Sequence, residues 1–172
     1  MPEKNELLRH YLASIAYHAT KALRDAPPNY TEHDPGNGAL TPHSLLHHIN
    51  SVLTYAHSFY QHYDNTRPPQ KPWDGELQGL YEIPSKLDHS IQSGKPRGVT
   101  EEQLLQGPLS DAMAHVGQLL MLRRLAGSPV PSENFIHADI KPGQIGPNQP
   151  DPPPPTTDTQ KNIFSVMSSS TP

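Results

Sequence analysis

The stretch DAMAHVGQLLMLRRLAG places a carboxylate and an imidazole, Asp111 and His115, four residues apart on a predicted helix. Side chains at positions i and i+4 lie on the same face of a helix, about 6 Å apart at their Cβ atoms. Both can therefore reach one point in front of the helix. A third ligand from a facing helix would complete a three-ligand site with open positions for water or substrate. Catalytic zinc and other divalent metals use this arrangement.

The candidate for the third ligand lies in LLHHINSVLTYAHSFYQHY, which the apolar spacing predicts as a helix. His48 falls on the apolar face of this helix, together with Leu45, Ile49 and Val52. Its neighbour His47 aligns with polar residues and is assigned to the solvent face, with Asn50, Ser51 and Thr54. Adjacent helical residues point about 100° apart, so only one of the two histidines can face inward. The sequence thus predicts a metal site formed by His48, Asp111 and His115.

Two structural interpretations of the same residues stay open. A single inward histidine is more often a hydrogen-bonded core residue than a ligand, and a single inward aspartate is more often a cap or an ion-pair partner. Asp111 is also placed to cap a helical segment that restarts after Pro108. If the inward histidines and aspartate are structural, His48, Asp111 and His115 form a buried polar network without a metal.

Composition excludes several other kinds of site. The chain has 172 residues and no cysteine, which excludes disulfides, a thiolate nucleophile and cysteine-based metal centres. The HExxH and GxSxG motifs and a glycine-rich phosphate loop are absent. A net charge of -4 gives no basic field for nucleic acid, and no stretch reaches the ~20 apolar residues of a membrane span. The N-terminal stretch MPEKNELLRHYLAS has no signal-peptide apolar region, so we expect a cytoplasmic protein.

Apolar periodicity predicts four helices that would position these side chains. The first covers residues 5–24, and the second runs from the N-cap Thr41 to about residue 62. The third keeps its period to Ile91, but Pro84 should kink or split it. The fourth begins at Thr100 with a capping box completed by Gln103, and it bends at Gly107-Pro108. It ends at Gly127, a glycine in the C-cap position of the helix.

The connections between the helices suggest how they are arranged. Between helices two and three, the linker DNTRPPQKPWDG is long enough to return along the whole of helix two, which would make the two helices parallel. We therefore expect an all-α four-helix bundle over residues 1–127, with a long crossover between helices two and three. With 21 prolines in the chain, residues 128–172 are expected to form an extended proline-rich tail, packed on the bundle or on a second protomer.

The segments TPHSLLHHINSVLTYA and DAMAHVGQLLMLRRLAG resemble the second-helix and fourth-helix signatures of the DinB/YfiT-like metalloenzyme family. In that family a histidine follows a pair of aliphatic residues on helix two, and helix four carries His-x-x-x-His followed by Gly-Gln and a run of aliphatic and basic residues. The resemblance implies an up-down-down-up bundle that forms homodimers. It also implies a divalent metal held by three histidines, usually nickel or zinc.

The ligand positions implied by the resemblance fall on His48, Asp111 and His115, and Gln118 becomes a contact to a ligand or to substrate. Asp111 stands where the family usually has histidine. An oxygen ligand weakens the preference for the metals that favour nitrogen-rich sites, so iron joins nickel and zinc as a candidate.

The resemblance implies an enzyme that acts on a small molecule, as a transferase or isomerase dependent on a low-molecular-weight thiol. Hydrolysis by metal-bound water would use the same site with another substrate. The alternative from a different class is a non-catalytic dimeric bundle, in which the His-Asp-His network is structural and the protein serves in interactions.

Overall fold

The computed structural model describes residues 2–61 and 68–153, and these residues are all-α, as predicted. The helices are Pro2–Leu23 (α1), Pro42–Ser58 (α2), Trp73–Ser93 (α3), Glu101–Leu104 (α4) and Ser110–Leu125 (α5). A π-helical turn, Leu105–Leu109, joins α4 to α5, and a 3-10 turn covers Phe135–His137. Residues 62–67, which include the predicted end of helix two and the start of the predicted crossover, lie outside the described residues, as does the tail from 154 onward. Within the described ranges, no helix has the length and apolar character needed to cross a membrane.

The helix ends follow local side-chain chemistry. The side chain of Thr41 accepts a hydrogen bond from the N–H of Ser44, which confirms the predicted N-cap of α2. At α4 both bonds of the predicted capping box are present: the N–H of Thr100 donates to Gln103 at 2.9 Å, and the N–H of Gln103 donates to Thr100 at 3.2 Å. Past the end of α5, Gly127 has a φ of 77°, a left-handed conformation that favours glycine.

Pro84 does not split α3, which was one of the two outcomes, a kink or a split, predicted from the sequence. The helix is continuous from Trp73 to Ser93, and Pro84 is buried within it. A proline inside a helix removes one backbone hydrogen bond. Here Leu80 and Leu87, on either side of it, are fully buried in the core. Packing of the flanking turns therefore holds the helix together across the proline.

The core lies between the long helices. Helix α1 packs against α3 and α5, and α2 packs against the same two helices. The largest fully buried side chains come from α1, α2, α3, α4, the π-helical turn and the loop after α1: Leu12, Ile15, Tyr30, Leu45, Leu46, Ile49, Leu53, Leu80, Leu87, Ile91, Leu104 and Leu109. Since α2 contacts two helices, it buries two adjacent faces.

The described residues fall into two compact units. One comprises the chain up to Val130 together with Ile140–Gln149, and the other comprises Pro131–Asp139 and, among the described residues, 150–153. The segment Ile140–Gln149 belongs to the predicted tail, yet its Ile145 is buried in the helical core. Packing of this segment on the helices thus extends the helical unit past residue 127.

Candidate metal centre

His48, Asp111 and His115 come together between α2 and α5. One Asp111 carboxylate oxygen lies 3.1 Å from Nε2 of His115, and the other lies 3.8 Å from Nε2 of His48. The two imidazole rings meet edge to face with their centroids 4.5 Å apart. One ligand atom from each residue lies within 4.8 Å of the other two, so the three side chains can hold a metal ion. The structure thus brings together the residues predicted from the sequence.

The site is open to solvent. The side chain of Asp111 is 49% exposed, that of His48 is 32% exposed and that of His115 is 18% exposed. A small molecule can therefore approach the three side chains from outside. The residues lie at the edge of the core, whereas the sequence analysis placed Asp111 on the inward stripe of its helix.

The π-helical turn Leu105–Leu109 accounts for that position. Inside it Gly107 has a non-helical conformation, with φ -92° and ψ -106°, and Pro108 has no N–H to donate. The hydroxyl of Ser110 donates to the carbonyl of Leu105 at 2.6 Å and helps to close the turn. The kink at Gly107 interrupts the helical phase, so α5 is rotated about its axis relative to an uninterrupted helix that would continue α4.

This rotation moves Asp111 and His115 off the core-facing line. In an uninterrupted helix, Asp111 would follow the buried Leu104 by about two turns and His115 by about three turns. Both side chains would then face the core, as Leu104 does. After the kink, Ala112 and Val116 take that line, and both are buried. Asp111 and His115 then lie on the flank that faces α2. Asp111 is the second residue of α5 and makes no capping hydrogen bond, so the alternative role as an N-cap is wrong.

The two ring nitrogens of His115 have different surroundings. Nε2 faces Asp111, while Nδ1 is buried and has no hydrogen-bond partner in the described part of the chain. Only Nε2 is therefore placed to bind a ligand from solution. An Asp–His pair that acts as a general base needs the nitrogen away from the carboxylate to reach substrate, and in His115 this nitrogen is enclosed by protein.

Gln118 is exposed on α5, one turn after His115. No hydrogen bond joins it to the three clustered side chains within the described ranges. Its contact with a ligand or with substrate stays a prediction.

His47 is buried, so its assignment to the solvent face was wrong. Its Nδ1 donates to Glu76 of α3 at 2.9 Å. The amide of Asn50 donates to the same carboxylate at 2.6 Å and to the Glu76 backbone carbonyl at 2.8 Å, and the backbone N–H of Lys71 also donates to the carboxylate. The apolar spacing of α2 marks one inward face, whereas the helix is buried against both α3 and α5. The spacing of His47 and Asn50, one turn apart, was the available signal.

This network holds Glu76 in its charged form. Burial alone raises the pKa of the Glu76 carboxyl, but the hydrogen bonds from Lys71, Asn50 and His47 outweigh that effect and bring its pKa below the ordinary value of 4.5. The network fixes the start of α3 on the start of α2. It is fully enclosed and presents no open position to a substrate.

Compared with protein-family models, with curated proteins and with solved structures, the chain matches none of them.

Proposed function

We propose that this protein is a metal-dependent enzyme of the DinB/YfiT-like type, with a divalent metal held by His48, Asp111 and His115. The observation that carries the proposal is the convergence of three ligand atoms, from two helices, within 4.8 Å of one another at a solvent-accessible position. Three protein ligands with remaining positions open to solvent are typical of catalytic rather than structural metal sites.

The donor atoms suit the metals proposed. Two imidazole nitrogens and one carboxylate oxygen match zinc, nickel and iron better than calcium or magnesium, which prefer oxygen ligands. The buried Nδ1 of His115 leaves Nε2 as the nitrogen that faces the other two ligands. The Asp111 carboxylate already faces Nε2 of both histidines, at 3.1 Å from His115 and 3.8 Å from His48.

The exposure of the cluster argues against a purely structural network. The alternative bundle would require His48, Asp111 and His115 to be buried, yet the central Asp111 side chain is 49% exposed. Ion pairs at solvent-exposed positions contribute only about 0–1 kcal/mol to stability. A carboxylate and two imidazoles at this surface are therefore poorly explained by stabilisation alone.

The helix arrangement that we propose is the up-down-down-up bundle. In support, Asn5 at the start of α1 donates to the carbonyl of Ile91 at the end of α3, which fits an antiparallel pair. The bond between His47 and Glu76 joins the starts of α2 and α3, which fits the parallel pair expected from a crossover. Arg123 near the end of α5 donates to carbonyls at the end of α1, which fits a second parallel pair.

The proposed reaction is a transfer or isomerisation that depends on a low-molecular-weight thiol. When bound, a divalent metal lowers the pKa of a coordinated thiol or water, which supplies a nucleophile in a chain that has no cysteine. The role of His48, Asp111 and His115 is to fix the position of the ion at the protein surface. The carboxylate of Asp111 also offsets part of the positive charge.

The proposal is tested by metal content, measured by mass spectrometry on full-length protein purified without chelators. The variants are His48→Ala, Asp111→Ala and His115→Ala, with His89→Ala as a matched control at an exposed position. We expect near-stoichiometric nickel, zinc or iron in the wild type and in His89→Ala. Each ligand variant should lose most of the metal while keeping its helical circular dichroism. Asp111→His should retain metal, because it restores a nitrogen ligand.

Two results would overturn the proposal. One is a wild-type protein whose metal content stays far below stoichiometric after divalent ions are added. The other is a set of ligand variants that bind as much metal as His89→Ala.

A further inference from the structure

We infer that the substrate of this site carries an apolar, preferably aromatic, portion that lies along α2 on the surface formed by Val52, Tyr55 and Phe59. This inference rests on the proposed metal site, because it concerns the part of the substrate that extends away from the ion. We call these residues the α2 apolar strip.

The α2 apolar strip begins at a proposed metal ligand. His48, Val52, Tyr55 and Phe59 follow one another at intervals of three or four residues, which places them on one side of the helix. Seven residues separate His48 from Tyr55, a rise of about 10 Å along the helix axis. A ligand of ordinary metabolite size can therefore contact the ion and the ring of Tyr55 at the same time.

The strip includes an exposed aromatic side chain that is supported from below. Tyr55 is 47% exposed, and its ring meets that of Phe59 edge to face with the centroids 4.9 Å apart. Val52 and Phe59 are half-buried and pack on the core, so the strip has a firm base. The π-helical turn packs against α2 as well and contributes the half-buried Leu105. An aromatic pair held in this way offers both a ring face and a ring edge to a second apolar group.

The charge pattern indicates what kind of group the strip accepts. The whole of α2, PHSLLHHINSVLTYAHS, contains no lysine, arginine, aspartate or glutamate. The side chains of His48, Asp111 and His115 can bind a polar head group at one end of the strip. A ligand that matches this surface has a metal-binding head and an uncharged apolar tail.

The test uses zinc-loaded full-length protein and two probes that share a metal-binding head, acetohydroxamate and 4-phenylbutyrohydroxamate. The phenyl group of the second probe can reach Tyr55 when the hydroxamate occupies the metal site. Isothermal titration should show about tenfold tighter binding of the phenyl probe to the wild type. Tyr55→Ala should remove this difference without changing the zinc stoichiometry or the affinity for acetohydroxamate. Leu7→Ala, at an exposed apolar position on α1, is the matched control and should behave as the wild type.

The outcomes separate this inference from the proposed function. If zinc does not bind, and nickel and iron offered in its place do not bind either, both are overturned. If zinc and acetohydroxamate bind but the phenyl group adds no affinity, or adds the same affinity in Tyr55→Ala, the inference about the substrate is overturned and the metal site stands. If Tyr55→Ala instead changes the sedimentation coefficient while both probes bind alike, the strip is a contact between copies of the chain, and the inference is again overturned.

Discussion

Replacing Arg123 should reveal how α5 is attached to α1. The Arg123 residue is only 5% exposed, and no carboxylate pairs with it in the described part of the chain. Its guanidinium instead donates to backbone carbonyls at the end of α1, those of Ala22 at 3.1 Å and Arg24 at 3.0 Å. It also donates to the carbonyl of Ser128 at 2.9 Å and to the Ser128 hydroxyl at 3.0 Å. One side chain thus joins the ends of two helices and the turn after α5.

The loss of stability expected for Arg123→Ala follows from the hydrogen-bond acceptors that would be left without a donor. Hydrogen bonds to a charged group contribute about 1.5–3 kcal/mol each, but bonds that share one side chain do not add in full. The carbonyls at the end of α1 carry the negative end of its helix dipole, which favours a cation there. The guanidinium also lies 5.5 Å from the ring centroid of the fully buried Tyr30. We therefore expect Arg123→Ala to lower the free energy of unfolding by about 3 kcal/mol.

The neighbouring Arg124 provides the control, because it is exposed on the same helix. Urea unfolding of the full chain, followed by circular dichroism, should show a change of less than about 0.5 kcal/mol for Arg124→Ala. Arg123→Lys should recover only part of the loss, since an ammonium cannot span carbonyls on both sides as the planar guanidinium does. Equal stability of Arg123→Ala and Arg124→Ala would refute the assignment of Arg123 as the link between the helix ends.

Two further predictions concern the contact between α2 and α3. A Cβ atom at Gly79 would lie 2.9 Å from the amide nitrogen of Asn50, so Gly79→Ala should destabilise the fold by roughly 1–3 kcal/mol in urea unfolding. Gly117→Ala, where a Cβ meets nothing within 4 Å, should be neutral or stabilising, and similar losses in both variants would contradict the close approach. The lowered pKa of Glu76 means that its charged form stabilises the fold above about pH 4.5, and this contribution is lost as the pH falls through the folded-state pKa. Between about pH 5 and about pH 3 the wild type and the exposed-site control Glu82→Gln should therefore lose more stability than Glu76→Gln, and parallel curves for all three would show that Glu76 is not the titrating group.

Features that depend on a few neighbouring residues could be predicted from the sequence. Thr41 caps α2 and the pair Thr100 and Gln103 caps α4 because these bonds form within one helical turn. Gly127 follows α5 in a left-handed conformation that other residues avoid. The pairing of Asp111 and His115 was likewise local, since it required only that the helix continue between them.

Features set by packing between helices were predicted less well. Pro84 stays inside a continuous helix because buried side chains on either side of it hold α3 in place. The buried face of α5 was displaced from its predicted position because the π-helical turn rotates the helix, and because the buried Arg123 lies where the apolar pattern suggests solvent. His47 was assigned to solvent because the apolar pattern of α2 marks only one face. The burial of His47 depends on Glu76, which lies on another helix, so the sequence of α2 alone gives little indication of it.

The neighbours His47 and His48 on α2 have different roles. His47 contributes to stability, and His48 belongs to the proposed metal site. His47 points to α3, where every oxygen of the Glu76 carboxylate receives a buried hydrogen bond. His48 points about 100° away, to the half-exposed cluster with Asp111. Because the two directions are fixed by one helical backbone, the bond between His47 and Glu76 that stops α2 from rotating also holds His48 towards α5. The buried side of α2, which carries His47, thus positions the exposed side, which carries His48. The proposed ligands are held in place by this neighbouring network, although their own cluster is partly exposed.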